Sequence, residues 1–121
     1  FIPYELALEL KQLGFDEPCF ASYYHAGRKL DICEYINHGE YTVLAPTYSQ
    51  AFRWFREKHE LSSWVYNSHM DKYFYTILQN GRIIKANESV TTYEEAELAC
   101  LKKLIEIVKT YGGNKWEVSL R

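Results

Sequence analysis

At 121 residues, with 47% hydrophobic and 25% charged residues, the chain has the size and composition of one globular domain. A net charge of −2 excludes a globally basic surface for nucleic acid, and three widely spaced cysteines speak against a disulfide framework. No stretch approaches the ~20 apolar residues of a membrane span and no signal peptide is visible, so we expect a cytoplasmic protein.

Three helices are predicted from their end signals and apolar spacing. Each begins at a proline or at a threonine N-cap, with a glutamine or glutamate three residues later in the second and third helices. The first and third helices end at a glycine, which can adopt the left-handed conformation of a C-terminal cap. The residues that mark these ends are Pro3 and Gly14, Pro46, Thr47 and Gln50, and Thr92, Glu95 and Gly112.

Strands are predicted in the intervals between the helices. The strongest signal is the Asn80-Gly81 pair between residues 73–78 and 82–86, because both turn residues accept positive φ. The other predicted strands are residues 20–25, 29–35, 41–44 and 63–67. The sequence therefore predicts an α+β fold, with a single antiparallel sheet of about five to six strands and three helices packed on it, in the order α-β-β-(β)-α-β-β-β-α.

One domain is expected over residues 1–112. Residues 113–121 are expected to be a C-terminal tail or an edge strand, because Trp116, Val118 and Leu120 alternate with polar residues.

Metal and catalytic chemistry find little support in the sequence. Cys19, His25, Cys33 and His38 fall within one stretch, but they lack the closely spaced pairs of zinc sites. No cofactor motif and no catalytic motif is present, so we expect neither a metal, a cofactor nor an enzyme. A small enzyme that uses Cys19 and a histidine remains one alternative.

Nucleic-acid binding is a second alternative. From residue 63 onward the order of elements resembles the double-stranded-RNA-binding domain, whose last helix begins with lysines that grip phosphates. This sequence has Glu94, Glu95 and Glu97 at that place, so RNA binding does not carry over. Sheet aromatics such as Tyr73 and Tyr75, with local lysines, could still stack on single-stranded bases.

The second helix offers the preferred binding surface. With Ala51, Phe52 and Phe55 turned inward, Trp54 is expected near the outer side among basic residues, which is the composition of an interface hot spot. The other interpretation is a wide apolar stripe with Trp54 at its margin. The candidate binding residues are Trp54, Arg53, Arg56, Lys58, Tyr73 and Tyr75.

Three segments carry a resemblance to known proteins: IPYELAL with the following GFDEPC (2–8, 14–19), APTYSQAFRWFRE (45–57), and YEEAE leading into LKKLI (93–105). Together they resemble short, uncharacterised proteins of Bacteroidota bacteria and their phages or prophages. The resemblance implies a bacterial cytoplasm and a mobile-element context, and it brings no activity, cofactor or catalytic residue.

The hypothesis that these observations favour is a non-catalytic binding domain that acts through a protein partner or by self-association. The absence of catalytic and cofactor motifs, the 17% aromatic content and the Trp54 surface motivate it. Nucleic-acid binding is less favoured, and no membrane contact is expected.

Overall fold

The computed structural model of the chain describes residues 1–24, 29–36, 42–68, 71–86 and 89–111. The order of its elements is the predicted one, and the fold is α+β. No helix within the described ranges is long and apolar enough to cross a membrane. The elements are α1 (Tyr4–Gln12), β1 (Cys19–Tyr24), β2 (Lys29–Ile36), β3 (Val43–Leu44), α2 (Tyr48–His59), β4 (Leu61–Asn67), β5 (Tyr73–Gln79), β6 (Arg82–Ala86) and α3 (Tyr93–Tyr111).

The strands form two separate three-stranded antiparallel sheets, so the prediction of a single sheet with five to six strands is wrong. In the first sheet β1 lies between β2 and β3, and in the second β5 lies between β4 and β6. Among the described residues, each named strand pairs only within its own sheet. Apolar alternation identifies a strand but not its neighbour across a long connection, and α2 intervenes between β3 and β4.

The chain divides into two compact units, one ending at Ala51 and the other beginning at Phe52. The boundary falls inside α2. That residues 1–112 act as one domain stays a prediction, and the expected tail at 113–121 lies outside the described residues.

In the first unit, α1 has the ends that its sequence predicts. Pro3 precedes the helix with φ −65°, and its carbonyl accepts from the amides of the first turn. At the other end Gly14 has φ 100°, and the amide of Phe15 donates to the carbonyl of Leu10 at 2.9 Å. This is a Schellman cap, and both Leu10 and Phe15 are buried beside it.

The first sheet is tied to the start of the chain through Tyr23 of β1. Its hydroxyl donates to the carbonyl of Ile2 at 2.7 Å, and its ring meets Tyr4 edge-on at 5.5 Å. The amide of Ile2 in turn donates to the carbonyl of Pro46 at 3.0 Å. Tyr23 is therefore a structural residue of this unit.

In the second unit, α3 packs against β4 and β5. Thr92 caps the helix as expected: its hydroxyl accepts from the amide of Glu95 at 3.1 Å and donates to the carboxylate of Glu95 at 2.9 Å. The side of α3 that faces the sheet is fully apolar. Its buried residues are Ala96, Cys100, Leu101, Leu104, Ile105, Ile107 and Val108.

The hairpin between β5 and β6 also follows the prediction. Asn80 and Gly81 have φ 53° and 76°, the positive values that a tight turn of this kind needs. The turn brings Gln79 opposite Arg82 and so sets the register of the two strands.

Candidate functional site

Trp54 is buried, so its expected position on the outer side of α2 is wrong. Its exposed fraction is 2%, and its ring lies edge-on against Phe55 at 5.0 Å and against His59 at 4.9 Å. Ala51, Trp54 and Phe55 have the i, i+3, i+4 spacing of one helix face, whereas Phe52 lies at its margin and is half-buried. The apolar stripe is therefore present, but Trp54 lies within it and Phe52, not Trp54, lies at its margin.

The basic residues predicted around Trp54 do lie at the surface. Arg53, Arg56 and Lys58 are all exposed on α2. Without an exposed tryptophan between them they form a charged helix face of the ordinary kind, and their role in binding stays a prediction.

Tyr73 and Tyr75 lie on the side of the second sheet that α3 covers. Tyr75 is 4% exposed, and burial, followed by the nearby Cys100 and Glu106 of α3, raises its pKa. Tyr73 is half-buried, with its ring perpendicular to that of Tyr93 at 6.0 Å. These two predicted binding residues therefore pack toward the helix and do not form a stacking platform.

The opposite side of the same sheet is apolar and exposes large side chains on its two edge strands, β4 and β6, whereas the residues of β5 between them are buried or half-buried. Successive strand residues point to opposite faces of a sheet. The buried Tyr75 and Ile77 and the residues opposite them in β4 therefore point to the helix side, and the residues that alternate with them along each strand point to the other side. Trp64 is 45% exposed, Tyr66 41% and Ile83 67%. We call this surface the open face; its residues are Ser62, Trp64 and Tyr66 of β4, Phe74, Thr76 and Leu78 of β5, and Ile83 of β6.

The strand register brings the large side chains of the open face together. Tyr66 lies opposite Phe74, and the two rings stack with centroids 5.5 Å apart and an angle of 17°. Trp64 lies opposite Thr76, which is only 5% exposed although it sits on this face. Ordered aromatic rings of this kind add contact area with little loss of side-chain entropy on binding.

No strand position that forms the open face carries a charged side chain. Arg82 and Lys85 of β6 lie opposite Gln79 and Ile77, which point to the helix side. Binding of single-stranded nucleic acid combines stacked aromatics with basic groups that follow the phosphates. The strand positions of the open face carry aromatic side chains but no basic ones, so they meet only the first of these two requirements.

The thiols of the chain are poor nucleophiles where the structure describes them. Cys19 is 1% exposed, its Sγ donates to the carbonyl of Glu17 at 3.4 Å, and burial together with Glu17 raises its pKa to about 11. Burial likewise raises the pKa of Cys100 to about 12. A catalytic thiol needs the opposite shift, so Cys19 has the environment of a structural cysteine.

Metal ligands do not cluster in the part of the chain that the structure describes, where no three histidine, cysteine or acidic side chains come together. His25 and His38 lie outside this part, as does the side chain of Cys33. An open groove of about 200 Å³ runs between β6 and α3. Its charged residues include Lys103 and Glu106, which form an ion pair at 3.1 Å and so neutralise each other.

Comparison of the chain with protein-family models, with curated proteins and with solved structures gives no match. The resemblance to the Bacteroidota group stays a prediction.

Sequence reasoning missed Trp64 and Tyr66, although a signal for them was present. The two residues are separated by one position in a predicted strand, and so they share a face. Ser62 and Ser63, near the start of β4, point to opposite faces and give no sign of which side is covered.

Proposed function

We propose that the chain is a non-catalytic binding domain that contacts protein, either a partner or a second copy, through the open face of β4, β5 and β6. The observation that carries this proposal is the exposure of Trp64, Tyr66 and Ile83 on one side of one sheet. Trp64 and Tyr66 are neighbours on one edge strand, and Ile83 lies on the other edge strand of the same face. Large apolar residues exposed together on one face favour an interaction surface, whereas single ones are ordinary.

The chemistry of the open face favours protein over nucleic acid as the partner. Aromatic residues are enriched at the centres of protein interfaces, and charged residues are depleted there. The open face has Trp64 and Tyr66 near its β4 side and no charge at its strand positions. A phosphate backbone laid across it would meet no cation within these positions.

The open face also differs from an enzyme site. It is the face of a sheet, and its polar side chains within the described strands are Ser62, Thr76 and the hydroxyl of Tyr66. No base is placed beside a nucleophile there, which acid–base or covalent catalysis would need.

The test is capture of protein partners by the tagged chain, with and without nuclease. Trp64→Lys and Ile83→Lys each place a charge on the open face, whereas Thr110→Lys places the same charge on an exposed position of α3. We expect both open-face variants to lose the captured protein, the α3 control to keep it, and nuclease to change nothing. Retention by both open-face variants, or loss on nuclease treatment, would contradict the proposal.

A further inference from the structure

We infer that β4 of a second copy of this chain pairs with the outer edge of β4 in antiparallel orientation. The second sheets of the two copies then join into a single sheet of six strands. The inference rests on the proposed function, since it names the occupant of the β4 side of the open face. It is carried by the backbone of β4 and by the side chains at its edge.

Unpaired edge strands attract other strands, and proteins protect them by short length, charged residues, prolines or bulges. Three of the four edges in the described sheets have such protection. β3 has only two residues, β2 carries Lys29 and Asp31, and β6 carries Arg82 and Lys85 with a register shift against β5. β4 has none of these features.

β4 has seven residues, LSSWVYN, without a charge or a proline. Its register with β5 runs without a shift from Leu61 to Asn67. A regular, uncharged and aromatic edge strand of this length is a template for pairing with another chain.

The hydrogen-bond pattern shows which backbone groups of β4 point outward. Tyr73 exchanges two hydrogen bonds with Val90, at 2.9 and 3.0 Å, so its backbone points away from β4. Gln79 faces Arg82 across the tight turn, and its backbone also points away from β4. Because backbone direction alternates, Phe74, the residue after Tyr73, points to β4.

The same alternation then applies along β4. Tyr66 and Trp64 lie opposite Phe74 and Thr76, and their amides and carbonyls point inward to β5. The groups that point outward are those of Leu61, Ser63, Val65 and Asn67. Among the described residues, no strand pairs with them.

The accessible part of this edge fixes the register of the proposed pairing. Leu61 is fully buried, whereas the residues from Ser63 to Asn67 are half-buried or exposed. The centre of that segment is Val65, so full overlap about a two-fold axis places Val65 opposite its own copy. Trp64 then lies opposite Tyr66 of the second copy, and the arrangement repeats on the other side of the axis.

These aromatic pairs would occupy the positions where antiparallel side chains approach most closely. Trp64 and Tyr66 do not exchange backbone hydrogen bonds across the new edge, and such pairs have Cα atoms about 4.5 Å apart. Cross-strand aromatic pairs are favourable in sheets. The second copy therefore completes the contact, since each tryptophan gains a tyrosine that its own chain does not supply.

The test is sedimentation equilibrium of the full chain and of two proline variants. Val65→Pro removes an amide that points outward, a place where edge strands tolerate proline, and it leaves Trp64 and Tyr66 in place. Ile32→Pro is the matched control, because Ile32 is an exposed residue of the edge strand β2 in the first sheet and lies outside the open face. Its amide points outward, since the backbone of Ala21 opposite it is turned the other way and accepts from the amide of Ala45.

We expect the wild-type chain to sediment at twice its 14.3 kDa mass, with Ile32→Pro unchanged. Val65→Pro removes two symmetry-related hydrogen bonds and should raise the dissociation constant roughly 10- to 100-fold. If its circular dichroism shows that it does not fold, Trp64→Lys tests the same edge through its aromatic pair.

A wild-type chain that stays monomeric at several hundred micromolar would overturn the inference, as would a dimer that Val65→Pro or Trp64→Lys leaves intact. A monomer that still captures a different protein through the open face would overturn the self-pairing alone. A wild-type chain that is monomeric and also captures no protein would overturn the proposed function.

Discussion

Trp54 and Trp64 belong to neighbouring elements of the same unit, yet their surroundings are opposite. Trp54 is 2% exposed in α2, and Trp64 is 45% exposed in β4. The sequence places the first among arginines and the second in a plain strand, and on that ground Trp54 is the more attractive contact residue. The structure reverses these roles.

The difference teaches how much each kind of pattern can say about exposure. Successive residues of a helix are about 100° apart around its axis, so the exposed fraction changes gradually from one side to the other. The pattern therefore allows Trp54, beside an apolar stripe, to be either buried or exposed. Along a strand, exposure switches at every residue, so Trp64 and Tyr66 must share a face. Strand alternation is therefore the sharper guide to a shared surface.

The largest effect is expected from removing the two tryptophans in turn. Trp54→Ala should lower the free energy of unfolding by about 3–5 kcal/mol, because it empties a buried, ring-packed site. Trp64→Ala should lower it by about 1 kcal/mol at most, since only cross-strand contacts are lost. Urea unfolding measures both. Equal losses would break the comparison between the two residues.

A second pair of variants compares the two sides of the second sheet with one chemistry. Ile77 is fully buried on the helix side, and Ile83 is 67% exposed on the open face. Ile77→Ala should cost about 2–4 kcal/mol, and Ile83→Ala about 0.5 kcal/mol. A costly Ile83→Ala in the monomer would show that the open face is covered within the chain itself.

The smallest effect concerns the helix that covers the other side of this sheet, and it depends on pH. Hydrogen bonds from Thr91 and Thr92 hold the pKa of Glu95 below its ordinary value. The folded state therefore gains stability from the carboxylate above that ordinary value, and loses it as the pH falls through the lower folded pKa. Glu95→Gln should unfold more easily than wild type at pH 7 and equally at pH 2–3.

The control for that titration is Glu94→Gln, at the preceding, equally exposed position in the first turn of the same helix. Thermal unfolding midpoints across the pH range give the comparison. A gap for Glu95→Gln that persists into acid would show that the cap acts through shape, with no part played by its charge.

Local features of the fold could be predicted from the sequence because their causes are local. Pro3 and Thr92 start their helices through backbone geometry and capping bonds, and Gly14 ends α1 with a positive φ. The Asn80-Gly81 turn forms the expected hairpin for the same reason. Each of these signals spans only a few residues.

The pairing of the strands could not be predicted in the same way. The residue pattern of a strand does not show which distant strand it pairs with, so the number of sheets was predicted wrongly. The prediction of the exposed binding residues was wrong for a related reason. In β5, both Tyr75 and Phe74 are aromatic, so only the packing of α3 decides which side is covered.

The most direct test of β4 as the contact element is amide hydrogen exchange, followed residue by residue at rising protein concentration. We expect the amides of Trp64 and Tyr66, which point to β5, to be protected at every concentration. Those of Ser63, Val65 and Asn67 should exchange freely in dilute solution and become protected as the chains pair. If these three amides exchange at the same rate at all concentrations, β4 is not the edge through which the chain associates.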